Sequence, residues 1–283
     1  DYSQYAGPMR LRTALVNDST RPLVGLVERI GADTVWRSTE PLGLFTFNKS
    51  SHNAQVILEG PSLNILEAAH IYSVFATLGE RNGYLNPKTG QVEPAAVRQV
   101  VTNSGLILYS PAAQTSQSVL SKPMAYLVHH MLADETARRE AYGTPNLTEI
   151  GKPAGVKVGT TARGDEVWTA GYTRQYLAVS WVGLAGDASP ETTLDYRIAA
   201  GIWNALIQYA SASEEPSDWE IQAGVSMMDV CDPSGDLATR FCPVVVNEAF
   251  LSGMEPASYD SMYREIDVNR ETGKLATIFT PLE

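Results

Sequence analysis

The chain has 283 residues, enough to bury a full core in one large or two modest domains. Hydrophobic residues are 44% and charged residues 19%, which excludes an intrinsically disordered chain. With 21 basic against 32 acidic side chains the net charge is −11, which argues against nucleic acid or an anionic membrane as the main partner.

In chain order, Asp1 to Pro8 is polar and turn-like, and 11–16 reads as a helix. A second helix spans 22–31, with Pro22 near its start and Gly31 at its end, and 32–42 gives a third. The strongest helix is 63–78: Ile65, Ala68, Ala69, Tyr72, Phe75 and Ala76 mark one apolar face, and Gly79 stops it. Two β-rich runs, 97–101 and 106–109, flank Asn103-Ser104-Gly105, a hairpin signature. Residues 123–134 are helical, with Pro123 in the first turn. A strand around Lys157 and two more over 167–173 and 177–183 follow. Last, 195–209 reads as an amphipathic helix with Ile198, Ile202, Leu206 and Tyr209 on one face, able to pack on the sheet. The expected class is α+β: a helical cluster, an antiparallel sheet, and a covering helix.

A polar stretch, 211–217, reads as a linker between a first domain, 1–210, and a β-hairpin-rich extension, 218–283. The extension repeats itself. Residues 229–239 recur as 267–277 at an offset of 38, with six of eleven positions identical, each copy a strand, a glycine-closed turn and a returning strand. Cys231 and Cys242 are the two cysteines, and with no nearby histidine they do not complete a zinc site. A local disulfide, implying an oxidising, extracytoplasmic setting, stands against a pair of buried thiols. No apolar run approaches the roughly 18 residues of a membrane span. Asp1 begins without a signal peptide, so any anchor or targeting segment is expected outside these residues.

Lys157-Val158-Gly159-Thr160-Thr161 carries the most chemistry. It sets a lysine, a glycine that permits close backbone approach and two hydroxyls along a strand edge. The stretch resembles the Lys-Thr/Ser-Gly motif of the penicillin-recognising serine acyltransferases. Four segments in order extend the likeness to the transpeptidase domain of class A penicillin-binding proteins: 5–17, 66–79, 125–132 and 157–182. Together they cover roughly the first three quarters of the chain, and the tail resembles C-terminal extensions of some members.

The resemblance implies a D,D-transpeptidase fold and three motifs. In the family, a Ser-x-x-Lys serine attacks the D-alanyl-D-alanine amide of a peptidoglycan stem peptide, a Ser-x-Asn loop relays a proton, and the Lys-Thr-Gly strand binds the terminal carboxylate. No serine in the sequence has a lysine three residues later, and the expected position of that motif falls before Asp1. The second motif lines up with Asp18, Ser19 and Thr20, putting aspartate where serine is expected and threonine where asparagine is expected. Val158 replaces the hydroxyl residue of the third. Ser62-Leu63-Asn64 spells the second motif but opens a helix, and reads as a cap. Thr46-Phe47-Asn48-Lys49 imitates a nucleophile motif in the wrong order along the chain.

If the alignment holds, Asp18 faces the cleft that Lys157 enters, and the two pair across it, lowering affinity for acyl-D-alanine or a β-lactam. The alternative has Asp18 capping a helix and Lys157 solvated. The histidines read as structural: His129 and His130 at a surface or helix contact, His70 on the apolar-faced helix. Trp168 and Trp181 read as sheet packing, and Trp203 as the contact between sheet and last helix. No metal site, phosphate loop or dinucleotide fingerprint occurs, so no cofactor is expected.

Three functions follow. The first is part of a cell-envelope transpeptidase, anchored through a segment outside this chain and acting on a stem peptide or a β-lactam, with the nucleophile upstream or on another chain. The second is a catalytically silent pseudoenzyme serving as a scaffold. The third is a wall-binding module on the duplicated hairpins.

Overall fold

The computed structural model describes residues 7–43, 62–94, 97–110, 113–186 and 192–280. The imitation motif at Thr46–Lys49, and Tyr5 and Ala6 of the lead-in segment, lie outside the described residues. The chain divides into two compact units, Leu11–Val225 and Ser226–Glu283 with Asp1–Arg10.

In the larger unit, α1 (Leu11–Val16), α2 (Thr20–Ile30) and α3 (Ala32–Thr39) come first. Helix α4 (Ile65–Ala76) opens on a capping box: the Asn64 side chain accepts from Glu67 N at 2.9 Å, and Glu67 Oε2 accepts from Asn64 N at 2.8 Å. It ends where Leu78 and Gly79 take positive φ, and a Cβ on Gly79 would lie 2.1 Å from the Leu120 carbonyl oxygen. Strand β1 (Glu80–Leu85) pairs antiparallel with β2 (Val92–Glu93) and, further along the chain, with β5 (Thr115–Ser118). The hairpin at Asn103–Gly105 joins β3 (Val100–Val101) to β4 (Ile107–Tyr109). Helices α5 (Lys122–Leu132) and α6 (Glu135–Tyr142) lead into the main sheet.

That sheet is antiparallel, in the order β6 (Gly155–Thr160), β7 (Glu166–Tyr172), β8 (Leu177–Gly183). Its two faces are set by the two-residue alternation of side chains. One face carries Val156, Val158, Val167, Thr169 and Ser180, all buried, and packs on α7 (Arg197–Ala210). The contact is close because it is made of small groups. A Cβ on Gly171 would lie 2.6 Å from the Trp203 indole, and Ser180 Oγ donates to the Ala199 carbonyl at 2.7 Å. The sequence pattern pointed to the wrong side of α7. Ala199, Ala200, Trp203 and Ile207 are buried, whereas Ile198, Ile202, Leu206 and Tyr209 are exposed. Two alanines admit the helix closer to the sheet than branched side chains would, so packing outranks hydrophobicity.

The opposite face of the sheet meets α4 and α5 through a second cluster, Tyr126, Tyr172 and Trp219, with Tyr72 and Phe75 against it. His129 is buried there, its ring centroid 3.9 Å from that of Trp219, and burial pushes its pKa down to about 4. Residues 211–219, polar in composition, lie on this unit. Lys152 Nζ donates to the Ser211 and Glu214 carbonyls, and Trp219 Nε1 donates to the Ala76 carbonyl at 2.9 Å.

The smaller unit is built on β9 (Val225–Cys231) paired with β10 (Val245–Leu251). Cys231 and Cys242 form a disulfide. Arg10 bridges Asp232 at 2.6 Å and Glu248 at 2.7 Å. Both repeat copies fold into the same tight turn: Cys231 N donates to Asp236 O and Gly235 N to Cys231 O, just as Asn269 N donates to Lys274 O and Gly273 N to Asn269 O, all at 2.8 Å.

Candidate functional site: a cleft beside an open strand edge

Strand β6 is the border strand of its sheet, and among the described residues no strand pairs with its outer side. Lys157, Gly159, Trp168, Ala170, Val179 and Trp181 share one face of the sheet through the pairings Lys157–Ala170–Val179 and Gly159–Trp168–Trp181. Together with Ser62 to Ile65, Ala68 and Tyr72 from α4 and its lead-in, and with Thr160, Thr161 and Glu166, they line a cleft of about 910 Å³.

The wall residues differ in what they present. The Val158 side chain is 2% exposed and joins the α7 face, so only its backbone borders the cleft. Alternation from Lys157 turns the side chain at position 158, where the resemblance has a hydroxyl residue, inward, and a branched apolar residue suits that core. Thr161 spends its hydroxyl on the strand connection, donating to Asp165 Oδ1 at 2.5 Å and accepting from Glu166 N at 3.1 Å. Thr160 is exposed at the strand end.

Asp18 lies in the turn between α1 and α2 with φ 58, in the left-handed region that aspartate and asparagine tolerate better than most side chains. The turn is fastened to α6 by its neighbour: Asn17 Nδ2 donates to the Ala137 carbonyl at 2.9 Å, and Ala141 N donates to Asn17 Oδ1 at 3.4 Å. Asp18 Oδ1 stands 2.6 Å from Lys157 Nζ, which also donates to the Val158 carbonyl. The lysine side chain is 14% exposed and the aspartate 39%. Burial, and then the Asp18 carboxylate, push the Tyr72 and Tyr142 hydroxyls up, so both stay neutral donors. Ser19 sits at the N-cap position of α2 without a side-chain capping bond, and Thr20 begins that helix.

Two features of the cleft escaped sequence reading. Glu166 accepts from both indoles, Trp181 Nε1 at 2.9 Å and Trp168 Nε1 at 3.3 Å, with the two ring systems 6.0 Å apart. The tryptophans read as packing residues, yet they are a wall of the cleft. Counting alternation across β7 and β8 from Lys157 places them there. Asn64 and Ser62 also border the cleft, Asn64 through its role as helix cap. Among the described residues no group of three or more His, Cys, Asp or Glu side chains is placed to hold a metal ion.

Residues 221–265 match the family model of the penicillin-binding protein 1A C-terminal domain. A penicillin-binding protein 1A of Clostridium botulinum is 26% identical over 98% of this chain and 33% of its own length. Another from Clostridium acetobutylicum is 28% identical over 80% of this chain and 26% of its own length. Over most of its length the chain is thus similar to penicillin-binding proteins of the 1A type. Its fold is that of their transpeptidase domains: the crystal structure of penicillin-binding protein 1A from Haemophilus influenzae superposes with a TM-score of 0.73 at 19% identity, over 92% of this chain and 42% of that one. The chain spans about a third of the length of the curated relatives it matches.

Proposed function

We propose that this penicillin-binding-type chain works in peptidoglycan synthesis at the cell envelope, and that its cleft seats an extended acyl-peptide of the stem-peptide kind. The observation that carries the reading is the open edge of β6 with Lys157, Gly159 and Thr160 along one cleft. An extended peptide can add to such an edge through main-chain hydrogen bonds. In this reading residues 1–210 supply the peptide groove, 218–283 form an extension, and the acylated serine and the membrane anchor come from outside these 283 residues. The disulfide suits an extracytoplasmic setting. The test is tryptophan emission on titration with acetylated D-alanyl-D-alanine peptides, acid or amide at the terminus. Binding is expected to change emission and to be lost in Trp181→Ala. No saturable response to either peptide ends the proposal.

A second reading, a catalytically silent scaffold of the same fold, is favoured by the ion pair that occupies Lys157. A fluorescent penicillin applied to the full-length protein separates the two: covalent labelling favours the enzyme, and its failure the scaffold.

A further inference from the structure

We propose that Asp18 is a built-in ligand for Lys157, so that the cleft takes peptide ends that are uncharged or cationic and turns away a free carboxylate. This rests on the reading of the cleft as a peptide groove.

Lys157 is the cation among the described residues of the cleft wall, and its side chain is largely withdrawn from water. An ammonium in that position needs a partner, and Asp18 supplies one at 2.6 Å from 139 residues away in sequence. An arriving carboxylate must either displace Asp18 or sit beside it. Displacement costs the contact with the ammonium, while the left-handed backbone at Asp18 and the two Asn17 bonds to α6 keep the turn that carries the carboxylate beside Lys157. Sitting beside it puts two like charges on one ammonium.

The second carboxylate of the cleft points the same way. Glu166 is fixed by the indole N–H groups of Trp168 and Trp181, which present their rings to the cleft. Asp18 thus neutralises Lys157, and Glu166 adds an anchored carboxylate elsewhere along the same cleft. Indole faces beside a carboxylate also suit an amine. An amide terminus, or a stem-peptide segment presenting an amine, meets no like charge here.

The experiment compares N-acetyl-D-alanyl-D-alanine with its C-terminal amide, read by tryptophan emission on wild type and Asp18→Asn. Asparagine tolerates the left-handed backbone and removes only the charge. Wild type is expected to bind the amide about fivefold more tightly than the acid, the upper end of what one partly exposed pair contributes. In D18N the acid is expected to gain about fivefold and the preference to vanish. Acid binding to wild type as tightly as the amide overturns the proposal, and this ratio decides even if the variant misfolds. Unchanged acid affinity in folded D18N overturns it as well. Either result leaves the peptide-groove reading standing, whereas absence of binding by both ligands to both proteins overturns the two together.

Discussion

The two hairpin copies share the hydrogen bonds of their turn and differ in what packs around it. In the first, Val230 is fully buried, and Leu237 is gripped by a neighbouring segment: its N–H donates to the Ser258 carbonyl at 2.9 Å and its carbonyl accepts from Asp260 N at 2.8 Å. A disulfide closes the same copy. In the second, Val268 is 53% exposed, Leu275 is exposed, and among the described residues no segment pairs with Leu275 except its own hairpin partner Val268. Asn269 and Thr280 stand where the first copy has Cys231 and Cys242. Shared flanks and one glycine therefore close the same two hydrogen bonds over different turn residues, but burial is conferred by neighbours. The motif is a local instruction, and its weight in stability is a property of context.

Substitutions at matched positions can break that comparison. The largest effect is expected from replacing both cysteines with serine. Losing the cross-link of a short loop should cost about 3 kcal/mol in urea unfolding of the smaller unit, and a loss near zero would mean that packing alone holds the first copy. Next come Val230→Ala and Val268→Ala. The first should cost about 2 kcal/mol and the second less than about 0.5 kcal/mol, because only one leaves a cavity. Equal costs would mean that the second copy is covered in solution. The smallest effect sharpens the likeness rather than the contrast. Gly235 and Gly273 both take positive φ, 76° and 64°, so alanine at either should cost about 1 kcal/mol of turn stability. Amide exchange at Cys231 and Asn269, each within its own turn, would report the two costs separately, and a marked inequality would show that the turns are not equivalent.

Much of the larger unit is legible in its residues. The main-sheet strands announce themselves by Val, Thr and Trp in alternation, and α4 by Asn64, its apolar face and Gly79. What escaped is non-local. Which face of α7 goes inward depends on Gly171 making room for Trp203 from another element. Residues 211–217 look like a linker because they are polar, yet Lys152 binds their carbonyls, and a contact 59 residues away leaves no trace in composition. At the cleft, Lys157 and Asp18 are readable as a pair only through family likeness, since 139 residues separate them. Glu166 with its two indoles needs the strand register, which the sequence leaves open until the turns are placed.

The backbone at Asp18 has one more consequence. A φ of 58° admits glycine, asparagine and aspartate with little strain and penalises nearly everything else. Evolutionary drift at this turn is therefore channelled into three residue types, two of them neutral. Aspartate and asparagine codons differ by a single base, so one mutational step separates a cleft that repels acids from one that welcomes them.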